Sequence, residues 1–499
     1  MRSLSRLFGL LLLLSTSGPV RGDDDPLKQA LALQAAVENV IAKAEPSIAC
    51  ILVSRSEKYQ DRDMAMFQRV HPSGEPGNLG DFDFEWARGK FEPIGSPKLA
   101  VAKRLDLAAP DHVPDSYGSG VVIDNSGLVL TDYHVVKNAR KIYVRVPHTS
   151  GSYADIFAAD ERSDLAVLKL IAPPQNLKAL PMGDAGNLRK GQFIVALANP
   201  FAAGFRDGSP SASWGILSNL RRRLPGEPNE IDLRRPRLHY YGILLQTDFR
   251  LSLGSSGGAL LDLNGNWVGL TTSQAALAGG ETAGGFAIPF DPRLRRIIDT
   301  LHRGEEVEYG FLGISMKSGN DSLDIAGVAF NGPAAKAGLS TNCRILKING
   351  ETINETDDLL YHIAANLAGT EIQIEYLPYS RDEKVRRFTK ATLVKAYWPS
   401  SGPVIAAKRP EPVFGLRVDY SSTLIRNFGA NEIAPGVLVR EVLPDSPAAK
   451  AGLKAESDVI LAVNDHKVST PQEFYDAARK SPGGLELTLA DTARKVRIP

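Results

Sequence analysis

The chain has 499 residues, 43% of them apolar and 23% charged, with a formal net charge of +1. That length exceeds one ordinary core and suggests about three domains, and a charge so near zero gives no global reason to expect a nucleic-acid partner. The two cysteines, Cys50 and Cys343, exclude a disulfide framework, have no ligand-like neighbours for a metal, and read as small buried apolar residues.

Residues 1–22 begin with Arg2 and Arg6, run through the apolar stretch Leu7 to Leu14, and end in Val20-Arg21-Gly22. A positive start, a short apolar core and small residues near the end have the order of a secretory signal peptide. The apolar run is too short to span a bilayer. An exported protein is therefore expected, in the periplasm or cell envelope or secreted, with no integral membrane segment in the mature chain. Cleavage would remove three arginines and take the net charge from +1 to −2.

An N-terminal helical segment is expected over 23–46, because "PLKQALALQAAVENVIAKA" (26–44) has helical apolar spacing and Pro46 stops it. A β-rich region follows over 47–303. Short apolar stretches at 47–53, 118–124, 128–136, 141–146 and 164–170 read as strands, as do 192–198, 213–220, 242–248, 259–263, 266–273 and 284–290. Many short strands with few helices suggest barrels or a sandwich, and the span accommodates two small barrels. "DPRLRRIIDTLHR" (291–303) reads as a closing helix. Two insertions interrupt the region: 55–115, polar and rich in Gly and Pro, and 221–240, which opens on the basic "RRRLPGEPNEIDLRRPR". Loops of this length are lids, regulatory loops or plain solvated insertions.

The C-terminal part repeats itself. "NGPAAKAGLSTNCRILKINGETI" (331–353) returns as "DSPAAKAGLKAESDVILAVNDHKV" (445–468). Two domain-sized copies mean sister domains, 308–398 and 413–499, because solenoid repeats are shorter and need at least three copies. Between them, 399–412 ("PSSGPVIAAKRPEP") has the composition of a linker.

"GSSGGALLDLNGNW" (254–267) sets two serines among three glycines. Taken alone it fits a glycine-rich turn. Gly254-x-Ser256-x-Gly258 also fits two hydrolase architectures, since a serine nucleophile needs a base, an orienting carboxylate and N–H donors for an oxyanion. The α/β-hydrolase elbow is followed by a helix and takes its histidine from later in the chain. Here two apolar runs flank Asn264-Gly265, a hairpin signal, and His302, His362 and His466 lie in helical or repeated segments. The order His, Asp, Ser fits instead, with His134 ending the strand "LVLTDYHVV" and Asp164 opening "SDLAVLKL".

At these motifs the chain resembles a known family. "GSGVVID", "LTDYHVV", "RSDLAVLKL", "ANPF", "QTDFRLSLGSSGGALLDLNG" and "GGFAIP" are similar to motifs of the HtrA/DegP trypsin-like serine proteases. The resemblance implies a mainly β fold, a chymotrypsin-like double β-barrel followed by two PDZ domains. It places the charge-relay pair on His134 and Asp164, the nucleophile on Ser256, and oxyanion donors on the backbone of Gly254 and Ser256, with Ser255 contributing. Leu251 and Thr271, Thr272 and Ser273 are expected to line the primary specificity pocket. With no carboxylate among them, cleavage after small or medium apolar residues is expected.

Each repeated unit carries a Gly-containing apolar stretch ahead of its "PAAKAGL" segment, "YGFLGISM" (309–316) and "VFGLRVD" (413–419). These resemble the carboxylate-binding loops of PDZ domains, where backbone N–H groups capture a peptide C-terminus while the peptide adds a strand. Phe311, Leu312, Gly313 and Ile314 form that loop in the first domain; the second departs more from the pattern. The implied function is an exported serine endopeptidase acting on unfolded or damaged polypeptides, with peptide C-termini bound at the PDZ domains. The resemblance further implies trimer-based homo-oligomers and neither metal nor cofactor. A proteolytically silent chaperone or adaptor that binds exposed chain ends is the alternative, against which the complete His–Asp–Ser set argues.

Overall fold

A computed structural model describes residues 26–55, 106–108, 114, 116–222, 238, 242–273, 284–317, 323–379, 385–397, 404–425, 432–481, 483–490 and 494–499. The expected leader and nearly all of both insertions lie outside these residues. Helix α1 (Pro26–Ala44) runs as its periodicity predicts. Its apolar stripe, Val37, Val40, Ile41 and Ala44, joins the core that also holds Val195 and Leu197 of the second barrel.

Six strands close the first barrel: β1 (Ile48–Ser54), β2 (Ser116–Val122), β3 (Leu128–Asp132), β4 (Lys141–Arg145), β5 (Ser152–Asp160) and β6 (Leu165–Leu170). They run in the order β5-β4-β1-β2-β3-β6, with β6 pairing back onto β5. Six more close the second: β7 (Phe193–Ala198), β8 (Ser211–Arg222), β9 (Leu244–Thr247), β10 (Ala259–Asp262), β11 (Trp267–Thr272) and β12 (Phe286–Pro289). Their order is β10-β11-β12-β9-β8-β7, closed between β10 and β7. Each ring closes on itself, and the two barrels form the expected chymotrypsin-like pair. Asn264-Gly265 does make the β10–β11 hairpin: Asp262 Oδ1 accepts from the N–H groups of Asn264 and Asn266, both at 2.9 Å, and Gly265 turns at φ +78°. Trp267, which follows, is fully buried edge-on against Phe290.

Two local outcomes differ from the sequence reading. Strand β5 lies where no strand was expected. The apolar stretch 128–136 ends as a strand at Asp132, and Tyr133–Val136 form a short helix, α2. The β-branched "HVV" reads as strand, but the N–H of Tyr133 is claimed by Asp164 O at 2.8 Å, which turns the chain.

Helix α3 (Pro292–His302) closes the double barrel. Asp291 caps it, accepting from Arg293 N and Leu294 N at 2.8 Å each. Leu294, Ile297, Ile298 and Leu301 are buried beneath it. Its outer face receives the first repeated domain: Tyr361 Oη donates to Asp291 at 2.7 Å, and Arg296 donates to Asn366 Oδ1 at 2.7 Å.

Both repeats fold around separate cores, each with a short helix at "PAAK", a strand after it and a longer helix, Thr356–Ala364 and Pro471–Arg479 respectively. The segment read as an unpatterned linker is not all loop. Ile405–Ala406 pair antiparallel with Ala159 and Ala158 of β5, adding a seventh strand beside the first barrel. An ionic hub joins the modules nearby. Lys395, 7% exposed, sits 2.9 Å from Glu306, 3.1 Å from Glu308 and 2.8 Å from Asp419, and Arg440 reaches Glu306 at 2.7 Å and Asp419 at 3.1 Å.

Candidate active site

His134 stands on α2, between the barrels. At the N-terminal end of α2 its backbone N–H donates to Asp164 Oδ1 at 2.9 Å, while its ring Nδ1 meets Asp164 Oδ2 at 2.7 Å. Asp164 holds both contacts from the β5–β6 turn, 1% exposed, with its backbone in the left-handed region at φ +60°. At the other end of α2, Arg55 donates to the carbonyls of Val135 at 2.9 Å and Lys137 at 2.8 Å and to Ser116 Oγ. Both ends of a four-residue helix are thus tied by side chains distant in sequence. Such a helix is too short to be stable by propensity.

Ser256 comes from the loop between β9 and β10. Its Oγ lies 2.9 Å from His134 Nε2. Gly254 and Gly257 flank it at φ +90° and +87°, a conformation L side chains rarely adopt. A Cβ at Gly257 would also stand 2.0 Å from Ser119 O. Ser119, on β2, stitches this loop to the first barrel: its N–H donates to Ser256 O at 2.8 Å and its Oγ to Gly254 O at 2.7 Å. His134, Asp164 and Ser256 are therefore brought together from both barrels as one hydrogen-bonded chain.

The expected oxyanion donors divide. The Ser255 N–H is spent on Ser252 O at 3.0 Å, closing a turn, so Ser255 is not a free donor. Among the described residues, the N–H groups of Gly254 and Ser256 donate to no protein acceptor. The expected pocket residues divide too. Ser273 touches the nucleophile itself, its N–H donating to Ser256 Oγ at 2.9 Å and its own Oγ 2.7 Å away. Thr271 buttresses the loop from below, donating to Ser255 O at 2.6 Å. The Thr272 hydroxyl is buried with no partner among the described residues. Leu251 packs in the second-barrel core and against Gly285, where a Cβ would fall 2.7 Å from its Cγ.

Sequence reasoning missed Arg55, Ser119 and Asp132. Arg55 and Ser119 act through spatial neighbours remote in the chain, whereas Asp132 stands two residues before His134. Asp132, His134 and Asp164 form the one group of potential metal-ligand atoms among the described residues, all within 4.8 Å of one another. Nδ1 of His134 and Oδ2 of Asp164 are already engaged with each other there.

In the first repeated domain, Gly313 turns at φ +79° and Ile314–Met316 pair with Ile325–Val328 on one edge. Among the described residues the N–H groups of Leu312 and Gly313 have no protein acceptor. Phe311 packs with Ile425 and Ile433 of the second domain. There the corresponding loop is closed on itself, Leu416 N donating to Val413 O at 2.9 Å, and Tyr475 Oη accepts from Val418 N at 3.3 Å across the groove.

Comparison with known proteins agrees with this architecture. Residues 118–270 match the trypsin-like peptidase domain, and 310–390 and 438–490 each match a PDZ domain. A probable periplasmic serine endoprotease, DegP-like, from Pseudomonas fluorescens is 29% identical over 480 residues, 93% of each chain. One of the same description from Brucella suis is 27% identical, covering 93% of this chain and 90% of that one. A solved structure of the HtrA-type protease AlgW with a tripeptide aligns over 72% of this chain and 96% of its own, at 24% identity and a TM-score of 0.46. The chain thus carries a trypsin-like peptidase domain on two closed barrels with two PDZ domains behind it, and over most of its length it is similar to DegP-like periplasmic serine endoproteases.

Proposed function

We propose that His134, Asp164 and Ser256 are the catalytic triad of this endopeptidase. The observation that carries the reading is the unbroken chain Asp164 Oδ2–His134 Nδ1, His134 Nε2–Ser256 Oγ, at 2.7 and 2.9 Å. Ser256 Oγ attacks a peptide carbonyl as His134 Nε2 takes its proton; His134 then hands that proton to the leaving amine, and water releases the acyl group under the same base. Asp164 fixes the imidazole orientation and offsets its charge. The unclaimed N–H groups of Gly254 and Ser256 receive the oxyanion. Leu251, beside Gly285, gives the primary pocket an apolar wall, so cleavage follows small or medium apolar residues.

The substrates in this reading are unfolded or damaged polypeptides in the periplasm. The first PDZ loop, with the Leu312 and Gly313 N–H groups free, receives their C-terminal carboxylates. The second, closed by Tyr475, serves docking. Trimer-based homo-oligomers belong to the same reading. The test is incubation of a denatured protein with the enzyme and with its Ser256→Ala variant. Fragments are expected only from the first, while the variant keeps the melting temperature of the parent. No fragments under any condition would favour a peptide-binding adaptor instead.

A further inference from the structure

Asp132 is a carboxyl that the triad does not use. It is fully buried at the end of β3, and among the described residues neither of its oxygens has a hydrogen-bond partner. One of its oxygens lies within 4.8 Å of a ring nitrogen of His134 and of a carboxylate oxygen of Asp164. The backbone N–H of Gly257 beside it is committed to Thr271 O at 2.8 Å. The groups facing it are His134 from α2, Asp164 from the β5–β6 turn and the Gly257 loop. Of the other charges on and against these elements, Lys137 pairs with Glu161, Arg162 lies over the Tyr309 ring, and Arg55 donates to the carbonyls of Val135 and Lys137.

A buried ion with no donor is costly, and two carboxylates sharing one site cannot both ionise without a cation. Asp164 is the member that is satisfied as an acceptor, holding two N–H bonds from His134. We propose that Asp132 keeps its proton at working pH, so that the buried Asp132–Asp164 pair presents one negative charge, not two, to His134. The inference builds on the triad reading above. A second charge at that distance would hold the imidazole protonated to higher pH, and a protonated His134 cannot take the proton of Ser256. Burial first, and then the charge of Asp164, do push the Asp132 carboxyl well above the ordinary value of 3.8.

The consequence for folding has a definite sign. Below pH 3.8 both folded and unfolded chains hold the proton, and the stabilisation is complete. As pH rises, the unfolded chain loses the proton while the folded one keeps it, so the folding equilibrium weakens by up to tenfold per pH unit until the folded carboxyl also ionises.

The experiment compares Asp132→Asn with the parent in two readouts. Melting temperature from pH 4 to 9 is measured in the Ser256→Ala background, where no proteolysis intrudes. The variant is expected to gain on its parent progressively as pH rises, and a gap independent of pH would overturn the proposal. The pH profile of kcat/KM is measured in the active background. Its acid limb is expected to stay within half a pH unit of the parent, with kcat/KM within about threefold. A limb moved by a unit or more would mean that Asp132 is ionised and would also overturn it. Should Asp132→Asn not fold, Asp132→Ser removes the same proton from a smaller side chain and carries the same expectations. Absence of hydrolysis in every protein would instead sink the triad reading, while the melting curves would still decide the state of Asp132.

Discussion

Lys395→Met is the sharpest test of how the three modules hold together. Methionine keeps most of the stem and removes the ammonium that Glu306, Glu308 and Asp419 share at 2.8 to 3.1 Å. Burial would raise the Glu306 carboxyl, but Lys395 and then Arg440 override it and hold it at about 2 against the ordinary 4.5. That gap corresponds to about 3 kcal/mol, in line with the cost of stripping one partner from a buried ion cluster. The contribution is complete above pH 4.5 and is lost as pH falls through about 2. Urea unfolding at pH 7 in the Ser256→Ala background should show the transition that frees the second PDZ domain moved down by roughly 1–2 M. The shift should narrow on acidification toward pH 2. Equal midpoints at pH 7, or a gap that widens as acid is added, would refute the reasoning. Adding Asp419→Asn to the variant should recover part of the loss, since it removes one carboxylate left facing the others.

Gly257→Ala forces a Cβ to within 2.0 Å of Ser119 O at a left-handed residue, so the nucleophile loop must shift. Losing the triad and oxyanion geometry there predicts a fall in kcat/KM of at least about a hundredfold, with far-UV circular dichroism unchanged; near-normal hydrolysis would show that the loop's path is not what places Ser256. Burial pushes the Cys50 thiol up to about 12, so at pH 8 it stays protonated and enclosed. Ellman's reagent should therefore label Cys50 in urea but not in the native protein, and rapid native labelling at Cys50 would contradict its burial.

The parts of the molecule legible in its sequence are those set by local pattern. Short apolar runs punctuated by Gly and Asn mark eleven of the twelve barrel strands, and Asn264-Gly265 marks the hairpin that separates this site from a strand–helix elbow. Strand β5, "SYADIFAAD", escapes because alanine and aspartate carry little β preference. It is strand because β4, β6 and Ile405–Ala406 all pair with it. The helical turn under His134 escapes because its cap, Asp164, comes from another strand connection. Ser273 escapes in another way. Its place on a strand after the nucleophile suggested a pocket wall, whereas its hydrogen bonds to Ser256 depend on how β11 packs under the loop. Asp132 draws no reading from the sequence, and only burial beside Asp164 turns it into a question about protons.

The pairing of Ile405–Ala406 with β5 has a consequence for reach. The two PDZ domains are not consecutive beads on one string, because the chain is fastened to the protease between them. What tethers the second domain is residues 407–415 alone, roughly 30 Å even when drawn out straight. A leash that short keeps a released domain near its seat at an effective concentration on the order of millimolar. Contacts far too weak to join two separate proteins are therefore enough to hold this domain home.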